Sequence, residues 1–278
     1  MIKYKTIRTT TKNKEAEVFY RLAVNKQLQK FIEKSIIEIK KHYTIIKGTN
    51  NSVNDVIKTI NKIKKYWEPI LLNNTEKIAL KWFKKAFKRQ STFANKKLQE
   101  VYKSIQLSNI KDRRFLNILK LTINNNVALI KDTTEQTINN IQSIVYSAMT
   151  NGKGWEDIEN NLYQQKEISY NRIKRIARDQ TAKATENINR QQQQEAGIEY
   201  FIWSTSKDER VSKQHRQLEG NIYKYNETIE ERLPIIDSYG NRGYPSERVN
   251  CRCTALALIL NDGYKVVYKN NKYQVVKI

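Results

Sequence analysis

Cysteine, histidine, proline and glycine are all scarce in this 278-residue chain, with 2, 2, 3 and 8 copies. Cys251 and Cys253 stand two positions apart, where a mutual bond would be strained, so a disulfide framework is excluded and nothing implies an oxidising compartment. So little proline and glycine leaves the backbone free to form long uninterrupted elements. The only histidines are His42 and His215. No His-Glu-x-x-His, Gly-rich phosphate loop or paired-carboxylate cluster stands out, which removes the commonest enzyme signatures. Residues 1–17 lack the apolar stretch of a secretory signal. No run approaches the roughly 18 apolar residues that a membrane span needs, so the expectation is a chain made and used in solution.

What the chain has in excess is positive charge, and it is unevenly spread. Residues 1–130 hold 29 basic against 9 acidic residues, a net of +20; residues 131–197 are balanced and residues 198–278 carry +3. A surface of that kind attracts polyanions and releases their counterions on contact. The competing reading is a set of solvated helix faces.

Apolar residues recur every three or four positions from Val18 to Ile46, which predicts a helix over 15–47. Residues 47–52 read as a turn, with Ser52 capping a second helix that Pro69 interrupts. A longer pattern follows through Ala79, Trp82, Phe83, Phe87, Leu98 and Ile105. Its opposite face carries Lys81, Lys84, Lys85, Lys88, Arg89, Lys96 and Lys97, the candidate DNA-contacting residues. The aromatics lie on the apolar stripe and are expected in the core, not as stacking platforms. Further helices are expected over 115–149, briefly from Trp155 to Leu162, and over 167–195, where Gln191 to Gln194 form a polar end and Gly197 stops the helix.

The pattern then changes. Residues 198–203 read as a strand, 207–218 as a short helix, 221–225 as a strand and 226–249 as a long loop. Residues 253–260 form an apolar strand, and two β-rich runs flank Lys269-Asn-Asn-Lys272 as a hairpin. The expected fold is mainly α with a small C-terminal α+β domain: a basic helical region over 1–197, then the α+β domain over 198–278.

One segment is far more specific than its surroundings. It runs Trp203-Ser-Thr-Ser-Lys-Asp208-Glu-Arg210-Val211, with His215 and Gly220 beyond, then Pro245 and the run Asn250-Cys251-Arg252-Cys253. Upstream stands Ile176-Ala-Arg178-Asp179-Gln180-Thr181. Together, over about residues 145–260, these resemble the phage Mu F-like minor head protein family, which acts in head morphogenesis. In that comparison Asp179-Gln180 replaces a Thr-Glu, Arg248 stands where many relatives carry His, and Ser212 where some carry Cys.

Asp208 and Arg210 flank one turn, so they can pair, or Asp208 can cap the following helix. Cys251 and Cys253 would share one strand face, and a helix packed there would bring His215 to both thiols. Zinc at His215, Cys251 and Cys253 would need a fourth ligand such as Asp208 or Glu219. The preferred expectation is no cofactor, with buried thiols and a structural histidine. Arg252, on the opposite face, would clasp the 226–249 loop.

The resemblance implies a virion protein, not an enzyme: a minor capsid component at the portal vertex or capsid interior, acting in head assembly, genome packaging and ejection. Its implied partners are the portal protein, scaffold or major capsid protein, and packaged double-stranded DNA. The alternative is a nucleic-acid-processing enzyme or toxin-like domain using His215 and Asp208.

Overall fold

The computed structural model describes residues 3–47, 53–102, 107 and 112–278, apart from the side chains at 44–47, 53–54 and 56. Residues 48–52 of the turn expected over 47–52, with its Ser52 cap, lie outside the described residues, as does Ile105. Four long helices dominate: α1 (Lys14–Lys47), α2 (Val53–Gln99), α3 (Arg113–Thr150) and α4 (Trp155–Glu195). They are joined by an antiparallel sheet of β1 (Tyr4–Ile7), β2 (Tyr200–Ser204), β3 (Ile222–Lys224), β4 (Thr254–Leu260), β5 (Tyr264–Lys269) and β6 (Lys272–Lys277), with a short helix α5 (Lys213–Leu218). The chain is thus mainly helical with a small C-terminal mixed region.

Two helices are longer than the sequence pattern suggests. Pro69 does not divide the second helix; α2 runs through it for 47 residues. Proline removes one backbone donor and crowds the preceding turn. Here it is exposed, while Leu71, Thr75 and Ala79 beyond it are buried and anchor the continuing helix. Likewise the short and long helices expected over 155–195 are one helix of 41 residues. Leu162, Gln165, Ser169 and Ile173 are all buried at helical spacing, so the core-facing stripe crosses the expected junction through polar side chains. The end of α4 is as expected. Gly197 takes a φ of 76°, its N–H donates to Gln194 O (3.0 Å), and Ile198 N–H donates to Gln193 O (3.0 Å).

The chain divides into two compact units. One comprises Glu17–Trp82 and Leu121–Ala177. It is helical throughout, with Tyr20, Phe31, Ile39, Trp82, Ile141, Ile158 and Leu162 buried. Tyr20 packs on Trp82 with ring centroids 4.9 Å apart, and Tyr43 donates to Lys153 O (2.6 Å). Threonines line part of this core. Thr133, Thr134 and Thr137 each return their hydroxyl to the carbonyl four residues back, which satisfies the polar atom inside the helix.

The other unit comprises Met1–Ala16, Phe83–Lys120 and Arg178–Ile278. Its strand order is β1-β4-β2-β3-β6-β5. The sequence pattern gives no sign of β1, yet it pairs with β4, Ile7 opposite Ala257. The β5–β6 turn is as expected, with Asn270 (φ 53°) and Asn271 (φ 58°) both left-handed. Both faces of β2 are covered: Phe201 and Trp203 pack with Tyr225, Ile236, Cys251, Cys253 and Ala255, while Ile202 packs with Leu258 and Val275.

Candidate functional site

The site grows from the central strand pair. Trp203 of β2 stands opposite Ala255 of β4, which places the residues just before β4 beside the turn that follows β2. In that turn, Asp208 Oδ1 accepts from Arg210 N–H (3.1 Å). Ser212, not Asp208, caps α5, and its hydroxyl accepts from His215 N–H (3.3 Å). In α5 the buried residue is His215.

The sequence around Cys251 folds as a tight turn, not as part of the strand. Asn250 adopts a φ of 60°, a conformation that asparagine tolerates better than most side chains. Its N–H donates to Asp179 Oδ1 (2.6 Å) and its side-chain oxygen accepts from Arg178 (3.0 Å). The Ala-Arg-Asp segment of α4 therefore holds the Asn-Cys-Arg-Cys turn directly. Beyond it, Cys251 N–H donates to Arg248 O (3.1 Å), Cys253 N–H points at Cys251 Sγ (3.4 Å), and Ser246 Oγ donates to Cys253 O (3.0 Å).

The two thiols and the imidazole do converge. His215 Nε2 lies 2.9 Å from Ile236 O, a group that can only accept. In the neutral ring Nε2 then carries the proton and Nδ1 presents its lone pair. Nδ1 is 3.5 Å from Cys251 Sγ and 3.4 Å from Cys253 Sγ, and all three residues are buried. A hydrogen bond from Cys253 brings the Cys251 thiol down, against the opposing effect of burial and with help from His215. Cys253 is driven upward by that same contact and by burial. A pocket of about 170 Å³ opens on this trio and on Arg210, Arg248 and Arg252.

Two expectations need correction. Cys251 and Cys253 meet through a left-handed turn, not through the alternation of one strand. Arg252 does not hold the 226–249 loop. Its guanidinium forms a two-pronged pair with Asp208 (2.5 and 2.6 Å), joining the turn after β2 to the turn before β4. That hydrogen-bonded pair keeps the Asp208 carboxyl below its ordinary range. The loop is instead tied by His215 to Ile236 O, by Arg242 to the carbonyls of Glu231 and Leu233, and by Arg190 to Glu247 (2.7 Å). The two carboxylates weighed as partners of His215 are engaged elsewhere. Both Asp208 oxygens bond Arg252, and Glu219 accepts from Thr205 N–H (2.5 Å).

Trp203 and Gly220 are structural. Gly220 takes a φ of 76° and donates to Trp203 O (2.9 Å), closing the β2–α5–β3 connection.

A second cluster escaped the sequence reading. Gln192 and Gln193 are buried, not a polar helix end. Gln193 donates to Thr9 Oγ1 (2.7 Å) and Ala255 O (3.1 Å), and accepts from Tyr225 OH (2.9 Å). Glu186 accepts from Ala255 N–H (2.8 Å), Asn189 (3.1 Å) and Thr10 (3.1 Å). Burial raises the Glu186 carboxyl to about 7 despite those bonds. The signal was present as Glu186, Asn189 and Gln193 at helical spacing on one face.

The basic residues of α2 look outward. Lys81, Lys84, Lys85, Lys88, Arg89 and Lys96 are exposed and Lys97 is partly so, while Trp82, Phe83 and Phe87 are buried as the stripe predicts. Lys85 and Arg89 both approach Glu15 (3.4 and 4.0 Å), and Lys97 pairs with Glu100 (2.8 Å).

A small antiparallel sheet clasped by an Asn-Cys-Arg-Cys turn, a two-pronged Asp–Arg pair and a preceding Ala-Arg helix define the class of this region. Residues 139–256 match the family profile described as phage Mu protein F like protein, and the site lies inside that match. The chain is also similar to an uncharacterized protein of Haemophilus influenzae, 29% identical over 146 residues, covering 52% of this chain and 30% of that one. A protein of Enterococcus faecalis named NAD(+)--arginine ADP-ribosyltransferase EFV is 25% identical over 130 residues, 45% of this chain and 26% of that one. The chain thus spans under a third of the length of these two relatives. No solved structure matches it.

Proposed function

We propose that the protein is a minor head protein of a tailed phage, associated with the portal vertex and acting in head morphogenesis and in packaging or ejection of the genome. The observation that carries this reading is the Mu F-like match over 139–256, which contains the whole Asn250–Cys253 clasp. The basic face of α2 is assigned to packaged double-stranded DNA, with scaffold or major capsid protein as further partners during assembly. No helix among the described residues is long and apolar enough to cross a membrane.

The role is architectural, not enzymatic. What favours this is the state of the titratable groups. His215 is engaged by a carbonyl and two thiols, and Asp208 and Glu219 are engaged by Arg252 and Thr205. The ADP-ribosyltransferase name belongs to a relative of which only 26% is matched, and that activity is not carried over to this chain. The test is composition. Purified phage particles should contain the protein at few copies, and the untagged protein should co-purify with its portal protein. Its absence from particles, together with failure to bind portal, would remove the proposal.

A further inference from the structure

We infer that His215, Cys251 and Cys253 form a zinc site with three protein ligands and a fourth position facing the pocket beside them. This rests on the site geometry alone and holds whether or not the virion role does.

Three independent features point the same way. The first is the spacing of the donors. Zinc bound tetrahedrally at about 2.3 Å from sulfur and about 2.0–2.1 Å from nitrogen sets the N···S edge at roughly 3.5 Å. The observed edges are 3.5 and 3.4 Å, and the three donor atoms lie within 4.8 Å of one another.

The second is the imidazole. Its far nitrogen is engaged by Ile236 O, which fixes the tautomer so that the lone pair of Nδ1 is turned to the sulfurs. A carbonyl on the far nitrogen is the usual outer support of a metal-bound histidine. Simple filling of an apolar core needs no such orientation.

The third is the pair of N–H groups around the sulfurs. Cys253 N–H points at Cys251 Sγ at 3.4 Å. The Trp203 indole N–H is buried and is directed at the Cys253 sulfur, with no oxygen or nitrogen acceptor beside it. A buried donor needs a good acceptor, and a metal-bound thiolate is a much stronger one than a neutral thiol.

Asp208 and Glu219, the carboxylates that the sequence offers as a fourth ligand, are engaged elsewhere. The remaining position therefore opens to the pocket, where a solvent water completes the shell in the isolated protein. Binding holds both sulfurs as thiolates and releases the proton that they would otherwise share. It ties α5 to the turn before β4 and, through Ile236, to the 226–249 loop. The ion is a cross-link in a region whose only two cysteines cannot sensibly bond each other.

The test uses the reduced, full-length, untagged protein. Mass spectrometry of the gel-filtered protein should find about one zinc per chain, removable by chelator. Replacement by cobalt should give tetrahedral d–d bands and a thiolate-to-metal charge-transfer band with the intensity of two thiolates. Cys251→Ser and Cys253→Ser should each weaken binding by more than the roughly 10–100-fold that loss of an outer partner costs. Trp203→Phe, which removes only the indole donor, should weaken it about 10-fold. The cobalt spectrum needs no variant, so it decides even where a serine variant fails to fold. Absence of the two-thiolate spectrum in the unsubstituted protein overturns the site. So does a folded double-serine variant that holds zinc as tightly as the parent.

Discussion

The turn at Asn250 and the basic face of α2 solve different problems with different means. Asn250 is fixed by Asp179 at 2.6 Å and Arg178 at 3.0 Å, and Arg252 by two bonds to Asp208. Each of those residues needs its own shape as well as its charge. On α2, Lys84, Lys88 and Lys96 stand exposed on a helix whose inner face is packed by Trp82, Phe83 and Phe87. There the helix needs only to keep its apolar stripe, and the outer residues can be any that water accepts. Stability should therefore respond to residue identity around Asn250 and α4, and to little on the outer face of α2. Interaction with polyanions should show the reverse.

The sharpest break between the two lies next to the clasp, at Glu186. Its folded pKa of about 7 stands above the ordinary 4.5 because burial disfavours the carboxylate. The folded state therefore holds this proton more tightly than the unfolded chain does. The stabilisation is complete below about pH 4.5, is lost as pH rises through 7, and stays lost above. Linkage bounds the loss at about 3 kcal/mol. Arg190 acts in the opposite sense, and the buried Tyr225 also feels Glu186. Glu186→Gln keeps an acceptor for Ala255 N–H and carries no charge. Urea unfolding at about pH 5 and pH 8 should show a stability drop in the parent that the variant lacks. Equal pH dependence in the two proteins would refute the assignment.

A smaller effect tests the turn itself. At Asn250 the φ of 60° costs an alanine about 1–2 kcal/mol, to which the lost bond from Arg178 adds a fraction. Asn250→Gly restores the backbone freedom but not that bond, so it should recover most of the loss. Thermal unfolding of the two variants distinguishes conformation from contact. If glycine is no better than alanine, the side-chain bond dominates and the left-handed turn is not why asparagine stands there.

Much of this was legible in the sequence, and the failures have physical causes. The buried stripe Trp82–Phe87 and the Asn270–Asn271 hairpin follow local rules, and both stand as read. The family resemblance picked out Asp208, His215, Cys251, Arg252 and Cys253, and these do assemble. The meeting of His215 with the two thiols was legible, but the partner of Arg252 was not. Whether Arg252 reaches Asp208 or the 226–249 loop depends on the chain path before β4, which turns on one left-handed residue. Strand β1 was hidden because four residues at an edge carry too little pattern, and their partner lies some 250 positions away. The buried glutamines were misread for a related reason. Hydropathy marks Gln192 and Gln193 as outward, whereas Thr9, Ser91, Tyr225 and Ala255 supply their partners only once the chain has folded.

The smallest expected change in stability carries the largest change in binding. Replacing Lys84, Lys88 and Lys96 with glutamine leaves the inner face of α2 untouched and keeps good helix formers on the outer face, so unfolding should shift by no more than about 0.5 kcal/mol. Lys85, Arg89 and Lys97 are left in place because they form ion pairs with Glu15 and Glu100 that compete with phosphate. If the face contacts DNA, removing three cations lowers the slope of log affinity against log salt by nearly 3, since each phosphate contact contributes about 0.9. Titration of a duplex from about 50 to about 200 mM salt measures that slope. An unchanged slope with unchanged stability would show that this face is only solvated, and that the charge asymmetry of the first 130 residues serves something other than the genome.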